Sequence, residues 1–215
     1  MTTLREKQRE RRRRDILDAA RDLIGDKGLD STSIEEVAAR AEVGPATVYN
    51  YFGSKNDLLY ALLVRYIEQE AEQGESSLQN PPANMADGMA ALFEQYLDGL
   101  ATRCSPVLIR EFYVLAMSKQ YDYGRHTYEL KQRFLEQGLR LAAHYKDRGQ
   151  VRDDVTAQEA ALLCYSAATF PFALFALGMG VDLEAARSQL RRFLGLVVSG
   201  IGSKAAACDE PQGDE

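Results

Sequence analysis

Apolar residues recur at i, i+3, i+4 and i+7 along almost the whole chain, while the two-residue alternation of a half-buried strand is nearly absent. That spacing puts one apolar stripe on each of a series of helices. The expected fold is therefore all-α, with about nine helices packed stripe to stripe. At 215 residues, 46% of them apolar and 27% charged, the chain can bury a large core, and extensive disorder is excluded. No repeat of solenoid period interrupts the pattern.

The first stripe holds Ile16, Ala20 and Leu23, with Leu17 and Ile24 beside it, and stops near Gly25 and Gly28. The second, Ile34, Val37, Ala38 and Ala41, opens on Ser33 and Glu36. At that spacing a hydroxyl and a carboxylate each satisfy a free backbone N–H of the other residue. Only Glu42, Val43 and Gly44 then precede Pro45, whose fixed φ suits a first helical turn, so a third short helix is expected over about 45–52. Val48 and Phe52 can face inward on it, with Thr47, Tyr49, Asn50 and Tyr51 on the other sides. Ser54 and Asp57 cap a fourth helix carrying Leu58, Leu59, Leu62, Leu63 and Tyr66. Residues 74–84, with Ser76, Ser77, Pro81 and Pro82, read as a linker.

Five more helices are expected beyond it. The fifth carries Phe93, Tyr96 and Leu97, and the sixth spans about 106–117. The seventh carries Phe134, Leu135 and Leu141, ends at Gly149, and has Gly138 on its stripe, where room is left for a neighbour or a ligand. Thr156 and Glu159 cap the eighth, and the ninth runs from Asp182 to Gly202. Residues 204–215 read as a loose acidic tail.

Charge is unevenly placed. The chain carries a net charge of −6, yet residues 1–14 hold Arg5, Lys7, Arg9 and Arg11 to Arg14 against Glu6 and Glu10. Such a basic arm can lie against phosphate or stay solvated, and an acidic remainder confines nucleic-acid contact to one end. Residues 160–181 carry no charge and are long enough on paper to cross a bilayer. Ser166, Thr169, Pro171 and Gly178 dilute the run, so the expectation is no membrane span but a helix buried on both faces, one of them against a partner subunit. Cys104, Cys164 and Cys208 are widely spaced with no CxxC, and a reduced, cytoplasmic protein is expected. His126 and His144 are the only histidines, and no metal, cofactor or catalytic motif is found, so an enzyme is not expected.

A helix, a turn of about four residues holding Gly44, and a short helix with a polar and aromatic free side make a helix-turn-helix pattern. The second helix of such a pair can enter a major groove about 12 Å wide and present side chains to base edges. The segment Ser31-Thr32-Ser33-Ile34-Glu35-Glu36-Val37-Ala38, followed by Val43-Gly44-Pro45-Ala46-Thr47-Val48-Tyr49-Asn50-Tyr51-Phe52-Gly53-Ser54-Lys55, resembles the TetR family of bacterial repressors. The resemblance implies phosphate contacts from Thr32 and Ser33. It sets Thr47, Tyr49 and Asn50 toward the groove, with Pro45 and Ala46 at the helix start and Tyr51 and Lys55 as further phosphate contacts. Arg11 and Arg12 are candidates for the minor groove. Gly44-Pro45 departs from the family's Ser cap, which loses one cap hydrogen bond.

The resemblance also implies a DNA-binding domain over 12–72 behind an arm of residues 1–14, its motif at about 34–53 and its recognition helix at about 45–52. An effector-binding and dimerisation domain then covers 75–203. Tyr165, Phe172, Phe175, Phe193, Leu194 and Val197 are the expected homodimer interface, each with an intrasubunit core role as the alternative. Phe93, Tyr96, Leu97, Phe112, Tyr113, Met117, Tyr128, Phe134 and Leu141 are the expected wall of a pocket for a small, largely apolar or aromatic effector, or plain core. The implied function is a homodimeric repressor of double-stranded operator DNA. The rival readings are a helical protein whose basic arm touches anionic lipid and, lastly, a helical enzyme.

Overall fold

The computed structural model describes residues 3–117 and 123–202, with the backbone alone for 76, 77 and 123–131. The described residues form nine helices: α1 Leu4–Lys27, α2 Ile34–Arg40, α3 Pro45–Phe52, α4 Lys55–Ser77, α5 Met85–Arg103, α6 Pro106–Met117, α7 Tyr123–Asp147, α8 Ala157–Ala176 and α9 Leu183–Ile201. The all-α expectation holds, and so do the ends set by side-chain caps. Ser33 with Glu36 and Thr156 with Glu159 form reciprocal boxes. Asp57 N donates to Ser54 Oγ at 3.1 Å, and Ala185 N donates to Asp182 Oδ1 at 2.8 Å.

Two boundaries differ from expectation. The basic arm of residues 1–14 is helical from Leu4, because Thr3 and Glu6 form a capping box that starts α1 early. The linker is also shorter than 74–84, because α4 runs through Gly74 to Ser77. A glycine penalty of about 1 kcal/mol does not break a helix that packs along its length. The tail at 204–215 lies outside the described residues.

The helices group into two compact units, Met1–Gln69 with Leu100–Tyr128, and Glu70–Gly99 with Glu129–Glu215. α6 groups with the N-terminal helices, and α4, α5 and α7 each contribute to both units. In the first unit Ile16, Leu17, Ala20 and Ile24 of α1 are buried with Ile34 and Val37 of α2, Val48 of α3, Leu58 and Leu62 of α4, and Leu108 and Ile109 of α6. In the second, Met85, Met89, Leu92 and Phe93 of α5 pack with Leu141, Ala142 and Tyr145 of α7, Cys164 and Ala168 of α8, and Leu190 and Leu194 of α9.

Candidate nucleic-acid interface

The turn between α2 and α3 is built by hydrogen bonds that wind the chain tightly. Ala41 N donates to Val37 O at 3.0 Å, Glu42 N to Ala39 O at 3.2 Å, and Val43 N reaches back to Ala38 O at 2.9 Å. This closure needs a left-handed residue, and Glu42 supplies it with φ 55°. Gly44, the glycine that marks the turn in the sequence, has an ordinary φ of −76°. It stands before Pro45 as an N-cap without a side-chain hydrogen bond, and nothing lies within 4 Å of where its Cβ would be.

α3 is anchored by two side chains. Val48 is fully buried and Phe52 nearly so, one turn apart, while Pro45, Ala46, Asn50 and Tyr49, at 48% exposure, stand free on the other side. Thr47 and Tyr51 are half-buried. The side expected to read bases is therefore open. Tyr51 is more engaged than expected: its hydroxyl donates to Arg9 O at 3.4 Å, and the Arg9 guanidinium lies 6.0 Å from its ring centroid. Arg13 stands over the Phe52 ring at 5.7 Å.

Three expected phosphate contacts have internal work. Thr32 is 2% exposed, with Oγ1 donating to Gly28 O at 2.9 Å, so its hydroxyl cannot meet a phosphate and the expectation is corrected. Ser33 Oγ accepts from Glu36 N at 3.2 Å and donates to Glu36 Oε2 at 2.9 Å, which commits it to the cap. Lys27 is the first cause, and Ser33 the second, that hold the Glu36 carboxyl down at about 2. Lys55 Nζ donates to Thr32 O at 3.1 Å and Asp30 O at 3.4 Å, which ties α4 to the α1–α2 loop and leaves one ammonium donor over. Arg11 and Arg12 are both exposed. Arg11 lines a surface cleft of about 360 Å³ with Asp15, Asp18, Asp22 and Arg40. The Asp22–Arg40 pair at 3.2 Å and the Asp18–Arg65 pair at 2.9 Å neutralise charge there.

The nine expected pocket residues divide between the two units. Phe93, Tyr96, Leu97, Phe134 and Leu141 belong to the second unit, whereas Phe112, Tyr113 and Met117 belong to the first. Phe112 packs on Tyr66 with ring centroids 5.7 Å apart, and Met117 is exposed. The Tyr128 side chain lies outside the described residues. What does assemble is an aromatic group centred on Phe134, with Tyr96 at 4.2 Å, Phe93 at 5.1 Å and Tyr165 at 5.6 Å. Gln137, buried one turn from Phe134, accepts from Tyr96 Oη at 2.6 Å and donates to Ala71 O at 2.7 Å and Glu75 Oε1 at 3.0 Å. Sequence reasoning missed it, because a buried glutamine carries no periodic signal.

Three of the expected interface residues take the core role left open for each: Leu194 is fully buried, and Tyr165 and Val197 are partly buried against that same core. Phe172, Phe175 and Phe193 are half-buried. The exposed apolar side chains of α8 and α9 are instead Leu162, Leu163, Phe170 and Leu196. α8 is, among the described residues, the one helix long and apolar enough to cross a membrane, with a mean hydropathy of 1.4. Cys104 and Cys164 are buried free thiols, and burial pushes them up to about 11 and about 12.

Comparison with known proteins bears on both units. Residues 16–62 match the family model described as bacterial regulatory proteins, tetR family. The chain is 38% identical over 89 residues to the HTH-type transcriptional repressor KstR of Rhodococcus jostii (strain RHA1), a stretch covering 41% of this chain and 40% of KstR. Curated relatives are thus matched over about two fifths of their length or less in the first three cases. The fold extends further. The transcriptional regulator FadR of Bacillus subtilis, solved in complex with stearoyl-CoA, superposes with a TM-score of 0.72 at 19% identity, covering 87% of this chain and 98% of FadR. SmeT, the repressor of the Stenotrophomonas maltophilia multidrug efflux pump SmeDEF, superposes in its triclosan complex with a TM-score of 0.66 at 18% identity, covering 90% and 92%. The capped pair of short helices thus lies inside the residues that match the tetR family model, and the likeness in fold to these solved regulators extends through the rest of the chain.

Proposed function

We propose that the chain is a homodimeric transcriptional repressor, working in the cytoplasm, that holds a near-palindromic operator with the outer side of α3 and releases it when a small, largely apolar or aromatic molecule binds the second unit. One observation carries this reading: Val48 and Phe52 pin α3 from behind while Pro45, Ala46, Tyr49 and Asn50 stay clear. A buried outer side could read nothing. Thr47, Tyr49 and Asn50 are the proposed base readers. Tyr51, Lys55 and the basic turns of α1 serve the phosphates.

The dimer contact is assigned to Leu162, Leu163 and Phe170 of α8 with Leu196 of α9. A helix with no charge beyond Glu159 in its first turn and large apolar groups on its outer side needs a second buried face, and a two-fold axis supplies one. The effector is assigned to the aromatic group around Phe134. Gly138 is buried beside it, and nothing lies within 4 Å of where its Cβ would stand. Stearoyl-CoA in FadR and triclosan in SmeT differ in size and charge, so the fold alone selects no ligand. Release then requires the effector to prefer a state in which the two reading heads are wrongly spaced.

The test is selection of duplex fragments by the purified protein, followed by sequencing and by titration of binding against salt. A shared near-palindrome with half-sites about 34–36 Å apart, or somewhat more, is the expected result. Recovery of unrelated fragments at one common affinity would end this reading.

A further inference from the structure

The seven cations of the first 14 residues are not equivalent once they are wound into α1. An α-helix turns about 100° per residue. Counted from the fully buried Ile16, Arg13 lies about 60° away, Arg9 about 20°, Arg5 about 20° and Arg12 about 40°. These four form one arc in line with Ile16, Ala20 and Ile24, the stripe that packs into the first unit. Lys7, Arg11 and Arg14 lie within about 40° of the opposite side. All residues from Thr3 to Arg12 are exposed, so about 13 Å of helix stands clear of the core beneath it.

Two of the four arginines join this overhang to the reading helix. Arg9 stands over the Tyr51 ring and Arg13 over the Phe52 ring, both at the C-terminal end of α3. Among the described residues none of the four makes an ion pair. The overhang is thus a cationic face, held by ring contacts to the element that would enter the groove. Its charge complements a phosphodiester backbone, and its rigidity distinguishes it from a free arm.

We infer that Arg5 and Arg12, with Arg9 and Arg13 behind them, form a second DNA contact that grips the phosphate backbone next to the bases read by α3, while Lys7 and Arg14 face solvent. The inference rests on the proposed DNA reading and adds which side of α1 touches the duplex and which atoms it meets. Counterion release makes it measurable, because each neutralised phosphate contributes about 0.9 to the slope of log affinity against log salt on duplex DNA.

The experiment compares two double variants of the full chain, Arg5→Gln with Arg12→Gln and Lys7→Gln with Arg14→Gln, on the operator and on an unrelated duplex. Both remove the same net charge, so a general field effect would shift them alike. The expected result is a slope shallower by roughly 1 to 2 for the first variant on both duplexes, and within about 0.3 of wild type for the second. Equal slopes for the two variants, or an unchanged slope for the first, would overturn the inference. So would binding of wild type to phosphatidylserine vesicles that only the first variant loses while its DNA slope stays at the wild-type value. Failure of the underlying DNA reading looks different, since wild type itself would then show no salt-dependent binding to any duplex. Circular dichroism of both variants confirms that α1 persists, because Thr3 and Glu6 keep the cap.

Discussion

Replacing Gly74 by alanine separates a helix-propensity argument from a packing argument, because the two predict opposite signs. Gly74 lies inside α4 and is buried. On propensity alone, alanine there stabilises by about 1 kcal/mol. The added Cβ would, however, stand 2.5 Å from Gln137 Oε1 and 3.1 Å from Nε2. Gln137 cannot swing aside freely, because its amide is held at both ends by Tyr96, Ala71 and Glu75. Glu75 is fixed in turn by Arg140, with both carboxylate oxygens 2.9 Å from Nη1. Losing two of these bonds, with partly buried partners left behind, costs about 2 to 4 kcal/mol. Gly74→Ala should therefore destabilise by about 1 to 3 kcal/mol net. With Gln137→Ala already in place the obstacle is gone, and the same change should stabilise by up to about 1 kcal/mol. Urea unfolding of the four proteins of this cycle, compared at their midpoints, reads the coupling. A Gly74→Ala effect of the same sign in both backgrounds would refute the reasoning.

Other consequences follow from single observations. Glu42 holds a left-handed backbone at about 1 kcal/mol of cost to a residue with a Cβ. Glu42→Asn, which tolerates that region better, should raise the unfolding midpoint by the equivalent of about 0.5 kcal/mol, and a lowered midpoint would contradict the assignment. The folded Glu36 carboxyl titrates at about 2, below its ordinary 4.5, so its stabilisation is present above about 4.5 and fades as pH falls toward 2. Glu36→Gln should flatten that part of the acid unfolding curve. Burial raises Tyr66 to about 12 and Cys104 to about 11, so both stabilise fully below pH 9 and lose this as pH climbs through 11 to 12. Tyr66→Phe should delay alkaline unfolding, read by tyrosinate absorbance and circular dichroism together. Tyr51→Ala should weaken binding on every duplex alike, whereas Thr47→Ala and Asn50→Ala should also change which fragments are selected. Uniform losses across sequences would remove Thr47 and Asn50 from the base-reading set.

The reading pair was the most legible part of the chain because its signals are local. Ser33 and Glu36 specify one helix start and Pro45 the next, and each acts within a single turn. Local signals misled where a glycine served as a stand-in for geometry. Gly44 marked the turn, yet the strained residue is Glu42; Gly74 looked like linker, yet it is the gap that admits Gln137. Thr32 shows a different failure. Its type suits a phosphate contact, but position alone could not tell that Gly28 O claims its hydroxyl from below. The seven cations at the start read correctly as basic and wrongly as an arm, because two residues, Thr3 and Glu6, turned them into the opening of a helix.

Helix α8 marks the limit of periodicity as a guide. Where no charge breaks the pattern, apolarity identifies a buried helix without identifying which side faces its own protomer. Size would suggest that the large residues turn inward. The reverse holds: Ala160, Ala161, Cys164 and Ala168 are buried, while Leu162, Leu163 and Phe170, the last at 57% exposure, point out. Small inward residues let α8 lie close against its neighbours, and α9 follows the same logic, with Leu194 inside and Leu196, two positions on, 62% exposed. Large groups kept outside are unfavourable in water for a lone protomer and favourable only against a matching surface. That asymmetry, rather than the count of apolar residues, is what supports the proposed pairing of the outer side of α8 with a second copy of the chain.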